Sequence, residues 1–275
     1  MQLVHRVQDL RTALAGSGCP AFVPTMGNLH DGHLALVHQA RKVGAPVVAS
    51  IFVNPLQFGQ GEDFDLYPRT LAADADKLTA AGCDLLFAPS VTEMYPEPQG
   101  FHVQVPLADE LCGAFRPGHF SGVCTVVLKL FGMVQPGYAV FGKKDYQQLF
   151  LIKAMVRQFN LPITIIEGET TRAQDGLALS SRNGYLSEQE RMAAPRLYVE
   201  LNRVADRLAS GMRDFKGLED EAVGRLNDAG WRVDYVSVRA QATLLPATPG
   251  DHHLVILAAA WLNKTRLIDN LTVTI

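Results

Sequence analysis

The chain has 275 residues, 48% of them hydrophobic and 19% charged, with a formal net charge of −3; that is the balance of a globular protein, with chain enough for two domains and a sizeable core. There is no basic block and no aromatic–basic alternation, which argues against nucleic acid as a partner, and the longest apolar run, residues 254–262, is far too short to cross a bilayer. No long apolar core follows Met1, as a signal peptide would need, and the four cysteines (Cys19, Cys83, Cys112, Cys124) are scattered without a Cys-x-x-Cys, so reduced thiols and a cytoplasmic location are expected.

The first part of the chain alternates strand and helix. Residues 21–24 read as a first strand, and Leu36, Val37, Ala40 and Val43 recur at helical spacing over 33–43. Residues 46–53 form a continuous apolar run, as in a parallel strand buried on both faces. A helix over 71–81 stops at Gly82, a natural C-terminal cap. A strand over 84–88, a helix over 123–134 ending before Pro136, a strand over 138–141, a helix over about 147–159 and a strand over 163–167 follow. This order predicts a Rossmann-like open parallel sheet with helices on both faces, in a domain over 1–169. Ligands of such sheets sit outside the carboxyl ends of the strands, which places the loops after Val23, Val53 and Phe141 on one rim.

The pattern changes after about Glu169. Helical stretches over 187–209 and 215–229 precede strands over 231–238, 253–261 and 265–275, with a turn suggested at Arg266–Asn270. Residues 170–275 therefore read as a smaller α+β domain. No internal repeat and no low-complexity segment is present.

The loop between the first strand and its helix carries the most chemistry: Met26-Gly27-Asn28-Leu29-His30-Asp31-Gly32-His33. Backbone N–H groups at a helix start lack intrahelical partners, and the helix dipole adds partial positive charge, so such a start suits phosphate. Two imidazoles placed there can donate hydrogen bonds to phosphate oxygens. His-x-Gly-His after a first strand is the signature of nucleotidyl-transferring enzymes that split ATP between its α- and β-phosphates. Ordinary surface histidines and a zinc pair are the competing readings. The metalloprotease pattern, however, spaces its histidines at i and i+4 around a glutamate, and no third ligand lies nearby, so no metal-ligating residue is assigned.

Four further clusters fall on or near the same rim. Asn54 and Gln57 leave the buried run at 46–53 as neutral groups that both donate and accept, suited to a small hydroxylated acid, although Asn-Pro also starts turns. Gly142-Lys143-Lys144-Asp145, followed by Gln147 and Gln148, again runs glycine to helix start. Lysines there oppose the dipole unless an anion is present, the other reading being a solvated pair. Leu179-Ser180-Ser181-Arg182 combines hydroxyls with a guanidinium, a common phosphate-binding set, or is a plain interdomain loop. Arg116-Pro117-Gly118-His119-Phe120-Ser121-Gly122 adds a cation and an imidazole in another glycine-rich loop. Neither a Gly-x-Gly-x-x-Gly fingerprint nor a Walker lysine loop occurs, which demotes a nicotinamide dehydrogenase and a P-loop kinase.

Taken together, Pro24–His33, Ile51–Phe58, Tyr67–Thr70, Arg116–Gly122, Phe141–Gln148, Asp175–Leu186 and Ala259–Asn270 resemble the pantoate–β-alanine ligase family, in one order through most of the chain. The resemblance implies a homodimer with a Rossmann-like N-terminal domain and a small C-terminal lid domain, with ATP, Mg²⁺, pantoate and β-alanine as ligands. By position it implies an ATP site made of Met26 to His33, Gly142 to Asp145, Thr171 and Leu179 to Arg182. Within it, His30, His33, Lys144 and Arg182 would be catalytic, His33 as proton donor. It further implies a pantoate site of Gln57 and Gln148, with Asn54 and Met26 beside them. Two positions depart from the family's pattern: Lys143 stands where an acidic residue is usual, and Thr171 where an aliphatic residue offers its backbone to adenine. An adenylyltransferase that stops at AMP transfer and a non-catalytic nucleotide-binding module are the alternatives to be separated.

Overall fold

The computed structural model describes every residue except Gln60 and Asp63. It groups the chain into two compact units, Met1–Lys143 with Gln148–Glu169, and Lys144–Gln147 with Thr170–Ile275. No helix among the described residues is long and apolar enough to cross a membrane.

In chain order the first unit is built from β1 (Gln2–Val4), α1 (Val7–Leu14), β2 (Ala21–Thr25), α2 (Asp31–Ala40), β3 (Val47–Ile51), α3 (Leu71–Ala80), β4 (Leu85–Phe87), α4 (Val91–Met94), α5 (Cys112–Phe115), α6 (His119–Val134), β5 (Tyr138–Gly142), α7 (Tyr146–Gln158) and β6 (Thr164–Gly168); the first residues of α7 group with the second unit. The six strands form one parallel sheet in the order β1-β4-β3-β2-β5-β6. Counted from β2, this is the order of a dinucleotide-binding sheet, with the switch point between β2 and β5. Among the described residues β2 pairs with β5 only at Ala21↔Tyr138 and Phe22↔Ala139, whereas its pairing with β3 runs on to Thr25↔Ile51. The two strands thus part toward their carboxyl ends. Pro24, which has no N–H to give a ladder, lies in the parted stretch of β2.

Burial explains why these segments are strands. Ala21, Phe22, Val23, Val48 and Ala49 are wholly buried, as strands covered on both faces require. Val37 and Ala40 of α2 and Leu78 of α3 join this core, and Phe131 of α6 packs edge-on against Phe22 and Phe141. β1 and α1 were not anticipated, since a three-residue strand and one fully buried helix residue, Leu10, leave little periodic signal. α6 starts at His119 rather than at residue 123, so the expected glycine-rich loop at 116–122 is half helix. Gly118, at φ +78, marks the turn into it.

The second unit holds α8 (Glu188–Ala193), α9 (Arg196–Ala209), α10 (Phe215–Asp228), β7 (Arg232–Ala240), β8 (His253–Leu262) and β9 (Thr265–Thr274), the strands forming an antiparallel sheet β7-β8-β9. Leu201, Val204 and Leu208 of α9 and Leu218 and Leu226 of α10 pack with Val236, Val238, Leu254, Ile256 and Ala258 of the sheet. The parallel sheet and the smaller α+β unit are therefore as expected. Two details differ. The helix expected over 187–209 is broken in two where Pro195 removes an amide donor. The turn expected at Arg266–Asn270 lies earlier, between β8 and β9, with Asn263 in the left-handed region at φ +51; residues 266–270 are strand.

Candidate active site

The loop beyond β2 is held by a buried acid. Gly27 and Asn28 both take left-handed backbone angles, φ +85 and +50, which turn the chain sharply out of the sheet. Asp74 of α3, 0% exposed, accepts the N–H groups of Asn28 (2.9 Å) and Leu29 (2.8 Å) and the hydroxyl of Thr70 (3.0 Å). Lys77, one turn further along α3, donates to the Leu29 carbonyl at 2.6 Å. Neither residue was anticipated, since their partners lie more than 40 positions earlier in the chain.

His30 is the N-cap of α2. Its Nδ1 accepts the Gly32 N–H at 3.2 Å, while Nδ1 of His33 accepts the His30 N–H at 3.3 Å, and the rings lie 4.1 Å apart. With both Nδ1 atoms acting as acceptors, the proton of each neutral ring is assigned to Nε2, on the far side from the helix backbone. The pair thus presents two ring N–H donors at a helix start, beside the switch point of the sheet. Asp31, on the first turn, is exposed, and its charge complements the helix dipole.

Past β3, Asn54 caps a 3₁₀ turn over Pro55–Gln57, its Oδ1 accepting the Leu56 N–H at 3.3 Å. The turn-starting role is present, and the same side chain is 1% exposed and bonded at both ends of its amide. Tyr95 donates to Asn54 Oδ1 at 2.7 Å, and Asn54 Nδ2 donates to Gln57 Oε1 and to the Gly122 carbonyl, both at 3.2 Å. Gln57, 7% exposed, directs Nε2 at the sulfur of Met26, 2.9 Å away. The structure thus brings Met26 of the first loop against Gln57. Gly122 permits this arrangement: a Cβ there would run into the Leu56 carbonyl oxygen. His119 Nδ1 donates to the Gln57 carbonyl at 2.8 Å. Its Nε2 in turn accepts from Arg116, which is also clamped on Glu62 at 2.8 and 2.6 Å. Burial pushes the Glu62 carboxyl up, but the Arg116 hydrogen bond and charge outweigh it and hold the group below its ordinary value. Arg116 and His119 therefore brace the turn that carries Gln57.

The segment beyond β5 divides between the units. Lys143 pairs with Glu169 at 2.5 Å within the first unit. In the second, the Lys144 carbonyl accepts Asn270 Nδ2 at 2.8 Å, and its ammonium lies 3.9 Å from Asp145. Gln148 is half-buried on the first turn of α7. Also in the second unit, the Leu179 N–H donates to the Thr171 carbonyl at 2.9 Å, so these two residues face each other across a small hairpin. Ser180 Oγ accepts the Arg182 N–H at 3.2 Å and opens the 3₁₀ turn Ser181–Tyr185. Beside them Arg172 makes a two-pronged pair with Asp269 (2.7 and 2.9 Å) and stacks on Tyr198, which fixes the base of the hairpin.

A sequence profile of the family described as Pantoate-beta-alanine ligase matches residues 2–272. The chain belongs to the pantoate–β-alanine ligase family. It is accordingly an enzyme, a carbon–nitrogen ligase. Among relatives of this ligase family, the pantothenate synthetase of Thiobacillus denitrificans is 62% identical over 276 residues, covering 100% of this chain and 98% of that protein. The crystal structure of pantothenate synthetase from Thermus thermophilus is 47% identical with a TM-score of 0.94, over 98% of this chain and 99% of that one. The family's ligase from Francisella tularensis, solved in complex with beta-gamma ATP and beta-alanine, is 33% identical with a TM-score of 0.84, covering 98% and 97% of the two chains.

Proposed function

We propose that this chain condenses pantoate with β-alanine to pantothenate, driven by ATP, through a pantoyl adenylate. The observation that carries the reading is the His30–His33 pair at the start of α2, with both Nδ1 atoms engaged by backbone and Nε2 left to carry the donor proton. Such donors, with the partial positive charge of the helix start, suit the oxygens of a polyphosphate. Lys144, Ser180, Ser181 and Arg182 are assigned further phosphate contacts, and Gly142 to Asp145, Thr171 and Leu179 the rest of the nucleotide site.

The chemistry asks little of the protein in proton transfer during the first step. Pantoate's carboxylate is already ionised at neutral pH. One of its oxygens forms a bond to the α-phosphorus of ATP, and the bond to the bridging oxygen breaks, releasing pyrophosphate. Alignment and charge neutralisation are what the site must provide. In the second step the neutral amine of β-alanine bonds to the acyl carbon, the carbon–oxygen bond to AMP breaks, and the amine loses a proton to solvent. Gln57 and Gln148 are assigned to pantoate, with Asn54 and Met26 beside them.

Mg²⁺ belongs to this reading as the ion of the nucleotide. Among the described residues no three His, Cys, Asp or Glu side chains gather as a metal cage. When bound with the nucleotide, such an ion would neutralise charge on the triphosphate. A homodimer in the cytoplasm completes the reading, on the strength of the family resemblance, and light scattering tests the dimer.

Pantoate-dependent exchange of labelled pyrophosphate into ATP, with β-alanine absent, is the deciding experiment. Exchange is expected. An exchange that needs β-alanine would overturn the two-step scheme, and ATP binding without exchange would favour a non-catalytic module. AMP transfer with no amine consumed would favour a plain adenylyltransferase.

A further inference from the structure

The amide of Gln57 has only one orientation that its surroundings allow, and the reason lies three groups away. The Gly122 carbonyl can only accept and the Leu56 N–H can only donate, so Asn54 must turn Nδ2 to the first and Oδ1 to the second. Tyr95 then donates to Oδ1 at 2.7 Å, the shorter of the two bonds that oxygen receives. Asn54 Nδ2, directed at Gln57, requires Oε1 there, which leaves Gln57 Nε2 as the group on the Met26 side. Burial pushes the Tyr95 phenol upward, so it remains a donor throughout the neutral range. The Lys129 ammonium lies 5.0 Å over the Tyr95 ring and the Phe52 ring packs 6.0 Å from it, which holds the phenol in place.

We propose that Tyr95 is a positioning residue for pantoate binding: by adding the shorter bond to Asn54 Oδ1 it reinforces the Asn54 orientation that holds the Gln57 amide with its NH₂ on the Met26 side, so that Gln57 selects a ligand group that accepts hydrogen bonds, a carboxylate or hydroxyl oxygen. The proposal rests on the reading of Gln57 as a pantoate residue. Tyr95 touches no ligand in this scheme. Its effect passes entirely through two side-chain amides.

The test is steady-state kinetics of the full chain, with thermal unfolding to verify folding. Tyr95→Phe removes only the hydroxyl and should raise KM for pantoate about tenfold, the worth of one buried hydrogen bond, with KM for ATP within about twofold. Asn54→Asp keeps the acceptor for Tyr95 and Leu56 but puts an acceptor where Gln57 needs a donor; it should produce a pantoate-specific loss of the same size or larger. In a Gln57→Ala background, adding Tyr95→Phe should change KM for pantoate less than about twofold, because the relay then has no end. An equal tenfold loss in that background would overturn the relay, as would a Tyr95→Phe enzyme with unchanged pantoate KM. If Tyr95→Phe does not fold, Asn54→Asp alone decides, an unchanged pantoate KM refuting the proposal. Should Gln57→Ala itself leave pantoate KM unchanged, the relay has no target and falls, while pantoate-dependent exchange in the wild type would still uphold the proposed function.

Discussion

Asp74 and Leu29 are separated by 45 positions, yet a carboxylate oxygen of Asp74 accepts the Leu29 N–H at 2.8 Å. The other oxygen accepts from Asn28 and Thr70. Two amides of the sharpest turn in the first loop are thus held by one buried acid on a neighbouring helix. His30 follows directly, so the aim of its ring depends on this anchor.

Asp74→Ala should therefore lower both stability and turnover. Two backbone donors lose a charged acceptor inside the core, a loss of about 3 kcal/mol. Asp74→Asn keeps one acceptor oxygen and should recover part of both. Urea unfolding and pyrophosphate exchange measure the two effects; an Asp74→Ala enzyme with unchanged midpoint and rate would show that the loop holds itself.

The capping and chemical roles of His30 separate by substitution. Asn is a good N-cap, so His30→Asn should keep the melting temperature near wild type, whereas His30→Ala should lose about 1 kcal/mol. Both should cut adenylation by roughly 10²–10³, the loss typical of one preorganised donor. His33→Ala and Lys144→Ala are expected to fall as far. Near-wild-type exchange in any folded variant removes that residue from the mechanism.

Gln57→Ala and Gln148→Ala should weaken use of pantoate far more than of ATP. A ligand oxygen left without its buried donor costs about 1–3 kcal/mol, or roughly 5- to 150-fold in affinity. Calorimetry with each substrate distinguishes this from a general structural role, in which both affinities would drop together.

Gly122→Ala probes the close approach of α6 to the Asn54 turn. Its new Cβ would press on the Leu56 backbone, which cannot rotate away as a side chain could. A stability loss of about 1–3 kcal/mol is expected, with a rise in pantoate KM as Gln57 shifts. A variant as stable as wild type with normal pantoate KM would mean that the helix moves freely.

The Glu62–Arg116 pair gives a pH dependence with a definite sign. The carboxyl titrates below its ordinary value of 4.5 in the folded chain. Its contribution is therefore complete above that value and is lost as pH falls through the lower, folded one. Wild type should lose melting temperature more steeply than Glu62→Gln below about pH 4.5, the two running parallel above it. Parallel curves in acid would show that the pair adds nothing.

Much of this protein could be read along the chain. Apolar runs such as Val47–Ile51 announce buried strands because burial on both faces demands unbroken hydrophobicity. His30 and His33 stand out because a strand end, glycines and a helix start lie within a dozen residues of one another. Those are local patterns, and local physics suffices for them. What holds the site is of another kind. Asp74 reaches Leu29 across 45 residues, Tyr95 reaches Asn54 across 41, and Gly122 meets Asn54 across 68. Hydrogen bonds of that span leave no period and no motif, since any polar residue at those positions looks the same until the sheet and α6 bring the partners within about 3 Å of each other. The grouping of Lys144–Gln147 with the C-terminal unit is of the same kind: Asn270, 126 positions later, takes hold of the Lys144 backbone. Residue order dictated which elements form and where their polar ends lie. The choice of which side chain anchors which loop was left to packing, because only there do burial and the need to satisfy every buried polar group act on residues far apart in sequence.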